Sequence, residues 1–481
     1  MHRVLVLLAM CAGIASAQWG NGYTYRASWV VQAGKITGTQ SNFTFVLADT
    51  ATGLKTTANG GHIQNTCTQT LYTLSVPADF LLTSDAAGTT PIAGWQFDKY
   101  SATTGAFTLH GAIGSLAAGS VVYGFYGKVA QSTCLGGAAS ASWDSNTLSA
   151  IAAPDGTTLN SLDYKGNTVT AGSSTPTASA GPVASEAGSI VTAGTANSYL
   201  SIAGMGNRTI PYTVCAWVNW AANTGGANDF LMGDYVDATG NNTIGVYRIA
   251  SSGHMAIYTT GPVALTYHTT EGTTVINANT WHQVCAIASS TAYTLYVDGA
   301  SEGTPASLVG VTLITTAQTY LRLGRLGDLG SSFWNGKQTE ITVSNTVRSA
   351  GWIGAAYNNL ASPTTFWAAT YDQLATTSMV ASPTAVPVSQ TNPVTLGLIG
   401  NVTTWGGTTR FTLSGVSGVS CAASPCVPTV TDATHATISL TTIGASTGTM
   451  TITESVTGTT TATVTMGMSG GASGCAVAGV Q

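Results

Sequence analysis

Charged residues are scarce in this chain: only 7% of its 481 residues are Asp, Glu, Lys or Arg. The 14 basic residues stand singly along the sequence rather than in clusters. Nucleic-acid binding needs a concentrated basic face, so this composition argues against it. A sparsely charged chain whose polar positions are mostly Thr, Ser and Gly instead favours an extracellular protein.

Long hydrophobic runs are also lacking after the N-terminus. No later run reaches the roughly 18 apolar residues that a membrane-spanning helix needs, so we expect no membrane span. The N-terminus has a short basic start, an apolar stretch and the small residues Ala15-Ser16-Ala17. This order predicts a signal peptide over 1–17, cleavage before Gln18, and a secreted protein that is soluble or held at a surface by its partners. Cys11 leaves a lipoprotein open as an alternative, although Met10 precedes it where such sites carry a small residue.

Short alternating runs are what the sequence has in abundance. Hydrophobic residues make up 44% of the chain, and 57 glycines and other turn residues separate the runs. Alternation with a period of two predicts half-buried strands, so the fold class is all-β. On a prior of roughly 100–200 residues per domain, the length predicts about three domains.

The clearest strands lie between Tyr212 and Gly299. This stretch opens with YTVCAWVNW, passes through WHQVCAIASS and closes with YTLYVDG, and Cys215 and Cys285 occupy inward-looking positions in the first two runs. A later run, WNGKQTEITVSNTVRSAGWIGAAYNN, predicts a short helix around 350–359. The order of these pieces resembles the laminin-G/pentraxin group of concanavalin A-like jelly rolls. The resemblance implies a jelly-roll sandwich over 183–370 that binds a ligand or partner at a surface.

The flanking segments predict further β domains. Segment 18–135 contains Tyr25-Arg26 and a closing YGFYG, and it resembles an uncharacterised bacterial surface domain that precedes laminin-G-like modules. The Gly-, Ala-, Ser- and Thr-rich segment 136–182 predicts a linker and an irregular entry into the jelly roll. Segment 378–468 has a Pro-rich entry and short strands, which predict an immunoglobulin-like sandwich that acts as a spacer, followed by a flexible tail over 469–481.

Cysteine usage points to an oxidising compartment. Removal of the signal peptide would leave seven of the eight cysteines, most of which should pair in an exported protein. Proximity along the sequence predicts the disulfides Cys67–Cys134, Cys215–Cys285 and Cys421–Cys426. Cys475 is then left over, either as an unpaired thiol in the tail or as a link between molecules.

Paired carboxylates of the kind that hydrolyse glycans are missing. Such enzymes place two carboxylates roughly 5–9 Å apart around the bond, and jelly-roll glucanases carry them on one strand as E-x-D-x-x-E. None of the five glutamates has an acidic residue two or three positions away on a plausible strand. We therefore expect a non-catalytic protein, and a polysaccharide hydrolase with another type of site stays open as an alternative.

Calcium is the cofactor that the pentraxin resemblance implies. Calcium takes oxygen ligands from loops, and the matching positions here are Asn241, Asn242 and Asp328. Most of the acidic ligands of those loops have no counterpart in this chain. The two asparagines also fit a simple turn, because Asn tolerates a positive φ.

Sugar binding needs an aromatic platform with polar groups beside it. Four aromatic residues near strand ends or loops are candidates: Tyr235, Tyr247, Tyr267 and Trp334. Aromatic residues in such strands also commonly belong to the core. The leading hypothesis is a secreted lectin-like adhesin whose partner is a glycan or a surface protein. The alternative is a structural component of an extracellular filament, a surface layer or a phage-like appendage.

Overall fold

The computed structural model describes most of the chain outside its two ends. The described residues are Trp19, 21–153, 159, 161–173, 177–180, 188–226, 228–236, 238–260, 267–313, 316–331, 333–374, 379–382, 385–386, 394–400, 409–430, 435–443, 448–454 and 461–466. The signal peptide, Cys11, Cys475 and the tail over 469–481 lie outside these residues, so they stay predictions.

Short strands dominate the first third of the chain. They are β1 (Tyr25–Val31), β2 (Gln40–Thr50), β3 (Thr66–Thr68), β4 (Ser75–Pro77), β5 (Leu81–Thr83), β6 (Trp95–Tyr100), β7 (Ala106–Leu116) and β8 (Val121–Tyr126). Single 3-10 turns occupy Thr52–Leu54, Thr57–Asn59 and Ala139–Ser142.

The middle of the chain is also made of strands. They are β9 (Thr147–Ile151), β10 (Val169–Ala171), β11 (Thr177–Ala180), β12 (Gly188–Ala193), β13 (Leu200–Ile202), β14 (Tyr212–Trp220), β15 (Asn228–Gly233), β16 (Gly245–Ile249), β17 (His254–Thr260), β18 (Tyr267–Val275), β19 (Trp281–Ala288), β20 (Ala292–Val297), β21 (Ala300–Ser307), β22 (Leu321–Leu323) and β23 (Asn335–Ser344).

Two helices precede the last strands. These elements are α1 (Ala350–Ala361), α2 (Pro363–Phe366), β24 (Trp367–Leu374), β25 (Met379–Ser382), β26 (Ala385–Val386), β27 (Val394–Gly400), β28 (Phe411–Ser414), β29 (Val419–Cys421), β30 (Thr429–Val430), β31 (His435–Ile443), β32 (Gly448–Glu454) and β33 (Thr461–Met466). The predicted helix around 350–359 forms as α1, and the all-β fold class is confirmed. Among the described residues, neither helix has the length and apolar character that crossing a membrane requires.

The described strands of the N-terminal β domain form two main sheets, in the orders β24-β1-β8-β5 and β2-β7-β6, and a small sheet of β3 and β4. Aromatic residues such as Trp29, Phe45 and Phe80 fill the core between them. Strand β24 follows the jelly roll in sequence, yet it pairs antiparallel with β1 from Tyr25–Leu374 to Val31–Trp367. The chain therefore returns to the first domain, and the domain end predicted at 370 falls inside this strand.

The jelly roll also consists of two sheets, which pack face to face. The described strands run in the orders β10-β13-β22-β15-β16-β17-β18 and β11-β12-β23-β14-β19-β20-β21, with β9 paired to β23. Alternate residues of each strand enter the core between the sheets, for example Val214 and Ala216 on β14. Strands β9, β10 and β11 come from the segment predicted as a linker, so much of 136–182 belongs to the jelly roll.

All three predicted disulfides form, with Cα–Cα distances of 5.6 Å for Cys67–Cys134, 4.1 Å for Cys215–Cys285 and 5.4 Å for Cys421–Cys426. The prediction that Cys215 and Cys285 point into the sandwich core is wrong. They lie opposite each other on β14 and β19 and pack on the other face of that sheet, against Ile353 of α1. Because α1 covers this face, β14 is buried on both sides and alternation alone does not identify its inner side.

Helix α1 joins the jelly roll to the N-terminal β domain. The Ser349 hydroxyl caps the helix by accepting a hydrogen bond from the backbone N–H of Trp352 at 3.1 Å. Near the other end, the Asn359 side chain accepts from the N–H of Val46 at 2.7 Å and donates to its carbonyl at 2.9 Å. Val46 also packs against Trp217 of β14. Strand β2 is therefore buried on both faces, between its own core and the jelly roll.

The third domain, over 379–466, has two sheets around a separate core. Their described strands run in the orders β25-β27-β31-β29 and β26-β33-β32-β28, with β30 beside β31. Leu396, Ile438 and Ile452 are among the buried residues between the sheets. The domain is thus a two-sheet sandwich, and its immunoglobulin-like type stays a prediction.

Candidate functional site

An open cleft of about 340 Å³ lies on the outer face of the jelly-roll sheet that contains β15 to β18. We call it the tyrosine cleft, and its lining residues are Asn228, Phe230, Tyr235, Tyr247, Tyr258, Tyr267, Thr269, Leu326 and Leu329. Three of the four aromatic residues predicted from the sequence, Tyr235, Tyr247 and Tyr267, therefore meet in one place. Tyr267 is the most open of the rings, with 48% of its surface exposed.

Neighbouring strands bring four of these rings into a continuous row. Phe230 of β15 lies opposite Tyr247 of β16, and Tyr258 and Tyr267 follow on β17 and β18. The ring centroids are 5.3 Å apart for Phe230–Tyr247, 5.7 Å for Tyr247–Tyr258 and 5.8 Å for Tyr258–Tyr267. Edge-on and tilted contacts at these distances are favourable, so the row is preformed. Phe230 and Tyr258 are buried within it, with 8% and 9% of their surfaces exposed, so the accessible ring surface comes from Tyr247 and Tyr267.

A glycine on β16 makes room for the central ring of this row. Gly245 lies directly opposite Tyr258, and a Cβ atom at Gly245 would approach the Tyr258 ring to 2.5 Å. Beneath the ring, the buried Asn242 side chain donates a hydrogen bond to the Tyr258 carbonyl at 3.1 Å and accepts one from the Thr260 hydroxyl at 2.8 Å. These contacts hold the backbone of β17 in place under the cleft.

The opposite wall of the cleft comes from residues 324–330, which we call the strap. Leu326 and Leu329 are its lining residues. The Asp328 carboxylate accepts a hydrogen bond from the Arg322 guanidinium at 2.9 Å, and its backbone N–H donates to the Tyr235 carbonyl at 2.9 Å. Arg322 also donates to the carbonyl of Gly327 at 2.7 Å. The strap is therefore tied to the sheet at both its side chains and its backbone.

The positions predicted for calcium are hydrogen bonded within the protein. The Asn241 side chain donates to the Thr316 hydroxyl at 2.7 Å, Asn242 supports β17 as described above, and Asp328 holds the strap. No group of three or more His, Cys, Asp or Glu side chains that could hold a metal occurs in the described part of the chain. Calcium binding stays a prediction from the sequence.

Trp334 lies outside the tyrosine cleft. The sequence places it beside an Asn-Gly turn, which favours exposure, but the side chain is fully buried in the core between the two jelly-roll sheets. Its backbone N–H donates to the Gly324 carbonyl at 3.0 Å, which turns the residue inward at the start of β23. A ring in this position has no surface for a ligand, so we leave Trp334 out of the candidate site.

Sequence reasoning missed two members of the row, Phe230 and Tyr258. Both occupy outward positions, because the residues that follow or precede them, such as Leu231 and Ile257, enter the jelly-roll core. The period of two along β15 and β17 is the signal that could have found them. This pattern assigns the two rings to the site only when β15 and β17 are known to be the neighbours of β16 in the sheet.

The hydroxyls of Tyr247 and Tyr258 remain protonated at neutral pH, because the pKa of each is raised. Burial raises the pKa of Tyr258, and the neighbouring Tyr235 and Tyr247 add to this rise. Burial also raises the pKa of Tyr247, with the charge of Glu271 as a second cause. Each hydroxyl can therefore both donate and accept a hydrogen bond at the edge of an apolar ring.

Comparison with known proteins matches only the jelly roll to a family. Residues 193–354 match the family model described as the concanavalin A-like lectin/glucanases superfamily. No curated protein sequence matches the chain.

Several solved structures are similar to part of the chain. Domain 4 of AbnA, a GH43 extracellular arabinanase from Geobacillus stearothermophilus in complex with arabinotriose, is 12% identical with a TM-score of 0.33, over 44% of this chain and 98% of that domain. The CBM40 of the Ruminococcus gnavus IT-sialidase, bound to sialyllactose, is 13% identical with a TM-score of 0.27, over 31% of this chain and 83% of that chain. A heptameric SAP-like pentraxin from Limulus polyphemus is 16% identical with a TM-score of 0.29, over 34% and 79%. Within this chain, the stretch over 193–354 is the part that is similar to the concanavalin A-like lectin/glucanases superfamily.

Proposed function

We propose that this chain is a non-catalytic binding protein that holds a glycan in the tyrosine cleft. The observation that carries the proposal is the row of four rings, in which Tyr267 is exposed and Tyr247 half-buried, while Phe230 and Tyr258 are buried and hold the row together. The C–H faces of sugars pack on aromatic rings, while sugar hydroxyls need hydrogen-bond partners. The cleft supplies both kinds of contact.

The polar groups of the cleft suit sugar hydroxyls. Asn228 and Thr269 lie at its margin, and the hydroxyls of Tyr247 and Tyr258 are held in their protonated form. A volume of about 340 Å³ falls within the roughly 300–1,000 Å³ of small-ligand sites. Because the cleft is open at the surface, a chain longer than the cleft can lie across it.

Binding without hydrolysis is the simpler function for this site. No described residue that lines the cleft is Asp or Glu, whereas glycoside hydrolysis normally needs two carboxylates around the bond. The superfamily matched by residues 193–354 includes both lectins and glucanases by its description. The composition of the cleft favours the lectin side of that description.

An extracellular setting fits this function. Three disulfides form within the described residues, and such bonds persist mainly in oxidising compartments. We propose that the protein is secreted and acts at a cell surface, with the third domain as a spacer.

A glycan array probed with the whole chain from Gln18 onward tests the proposal. We expect binding to at least one glycan and a loss of about two- to tenfold in affinity for Tyr267→Ala, because contacts with an aromatic ring are worth about 0.5–1.5 kcal/mol. Tyr25→Ala, which removes a ring from the N-terminal β domain, is the matched control and should bind as the wild type does. No binding to any glycan, or equal loss in both variants, would overturn the proposal.

A further inference from the structure

The side chains that line the described part of the tyrosine cleft include no cation. Arg325 lies in the strap, where its guanidinium donates hydrogen bonds to the carbonyls of Ala196 and Leu329, each at 2.7 Å. The nearest arginines on the same sheet interact with protein groups. Arg322 binds Asp328 at 2.9 Å, and Arg248 stacks on Trp220 at 3.7 Å and lies 3.5 Å from the carboxylate of Asp229.

Glu271 brings a negative charge to the edge of the same face. It is an outward residue of β18, four positions after Tyr267 and two after Thr269, so all three share one side of the strand. Across the sheet, Ala256 lies between Tyr247 and Glu271 in the strand register. Two strand spacings separate Tyr247 from Glu271, which is about 10 Å. Ala256 itself is fully buried, and Glu271 lies beyond the residues that line the cleft.

Neighbouring groups orient the Glu271 carboxylate without burying it. Nδ1 of His254 lies 3.2 Å from its Oε1 atom, and the Ser252 hydroxyl donates to the same oxygen at 3.3 Å. The Glu271 side chain remains 49% exposed. After burial, the charge of Glu271 is the second cause of the raised pKa of Tyr247.

We infer that the tyrosine cleft selects uncharged glycans against acidic ones, and that Glu271 is the residue that determines this selection. The inference rests on the proposed function. For a neutral sugar, the carboxylate is a strong acceptor for ring hydroxyls. For a sugar that carries a carboxylate or sulfate, Glu271 is a like charge beside a cleft whose described lining side chains include no cation. The acidic group of such a sugar would have no cation partner among them. This weakens binding of the acidic ligand rather than strengthening binding of the neutral one.

The test uses matched oligosaccharides that differ only in charge. Neutral gluco-, galacto- and manno-oligosaccharides and their C6-carboxylate counterparts are titrated into the whole chain at pH 8, where histidines of ordinary pKa are neutral. We expect the neutral member of a bound pair to bind at least about tenfold more tightly. Glu271→Gln should reduce this ratio to about threefold or less, and Glu271→Lys should favour the acidic member. Asp49→Asn removes the same charge from the N-terminal β domain and should leave the ratio unchanged.

The outcomes separate the inference from the proposed function. Equal or tighter binding of acidic members, or an unchanged ratio in Glu271→Gln, overturns the inference, while loss of binding in Tyr267→Ala still supports the cleft as the glycan site. If neither the neutral nor the acidic oligosaccharides bind, the inference is wrong. The proposed function is then tested by the glycan array alone. Melting temperatures of the Glu271 variants verify that these exposed substitutions leave the fold intact.

Discussion

His110 of the N-terminal β domain contacts Glu340 of the jelly roll at a distance of 3.0 Å between Nε2 and Oε1. Both side chains are buried, with 1% and 5% of their surfaces exposed. The other ring nitrogen of His110 is hydrogen bonded to Asp98, and Trp143 stacks over the ring at 4.8 Å. Two carboxylates therefore share one imidazole ring between two domains.

This arrangement makes the stability of the paired domains depend on pH. Burial alone would lower the pKa of His110, but the charges of Asp98 and Glu340 outweigh burial and hold the pKa well above 6.5. Above about pH 6.5 the folded chain therefore binds more protons than the unfolded chain, and stability falls as pH rises through the folded-state pKa. We expect the free energy of unfolding to decrease from pH 6.5 to pH 9.5. Glu340→Gln removes one of the two charges that raise the His110 pKa, so it should reduce this decrease.

Urea unfolding of both chains at several pH values measures the effect. His62→Phe is the control, because His62 is 32% exposed and lies outside this network. The same pH slope in wild type and Glu340→Gln would contradict the assignment.

The N-terminal β domain buries part of the jelly-roll surface and should contribute to its stability. A fragment cut at the predicted boundaries, 183–370, lacks β9 to β11 and exposes the face of α1 that Val46 and Asn359 join to β2. We expect its melting temperature to be at least about 10 °C below that of a fragment over 19–374, since a loss of several kcal/mol gives such a shift. Calorimetry of the two fragments measures this, and equal melting temperatures would show that the jelly roll folds independently.

The disulfides should differ in their contribution to stability. Cys215–Cys285 spans 70 residues and Cys421–Cys426 only 5. In the chain-entropy account, their removal costs about 4 and about 2 kcal/mol respectively. Replacing each pair by alanines and measuring denaturant midpoints tests the order. A larger loss of stability on removing Cys421–Cys426 would show that strain or packing, and not loop length, determines the contribution of each disulfide.

Gly245→Ala tests how the tyrosine cleft is built. An added Cβ would press on the Tyr258 ring, so we expect ligand affinity to fall about tenfold while the jelly roll keeps its fold. Gly114→Ala is the matched control, because Gly114 is also in a strand and a Cβ there meets no atom within 4 Å. Isothermal titration with a bound glycan measures both variants. Unchanged affinity in Gly245→Ala would mean that the Tyr258 ring does not need its present position.

Asp328→Ala separates the two roles considered for Asp328. If its main role is to hold the strap through Arg322, the variant should bind glycan more weakly, and adding or chelating calcium should not alter this difference. If Asp328 is a calcium ligand, calorimetry should detect calcium binding in the wild type and lose it in the variant. The two results exclude each other, so one titration series distinguishes the strap from the metal.

Short-range patterns predicted the strands and the pairing of cysteines well. Cys215 and Cys285 sit in runs whose alternation marks them as strands, and Tyr235, Tyr247 and Tyr267 were recognised as residues near strand ends. The prediction that Trp334 is exposed was wrong, because its turn-like neighbours in sequence do not reveal that the side chain lies between two sheets. Exposure of such a residue depends on what packs above it, which lies far away in sequence.

Long-range contacts are what the sequence did not reveal. His110 and Glu340 are 230 residues apart, and neither lies in a pattern that marks it as a partner. Strand β24 likewise continues a helix of the jelly roll and gives no sign that it pairs with β1. The segment over 136–182 looked like a linker because Gly, Ala, Ser and Thr are also tolerated in short strands at the edges of sheets.

The pairing of β24 with β1 determines how the protein carries mechanical load. The third domain follows β24 directly, so tension applied to it reaches the hydrogen bonds between β24 and β1 before it reaches the jelly-roll sheets. A pull on a glycan in the tyrosine cleft enters from the other side, through β15 to β18. The two forces therefore meet at strand β24. Under tension, β24 would separate from β1 starting at the Tyr25–Leu374 pair, while the cleft keeps its shape.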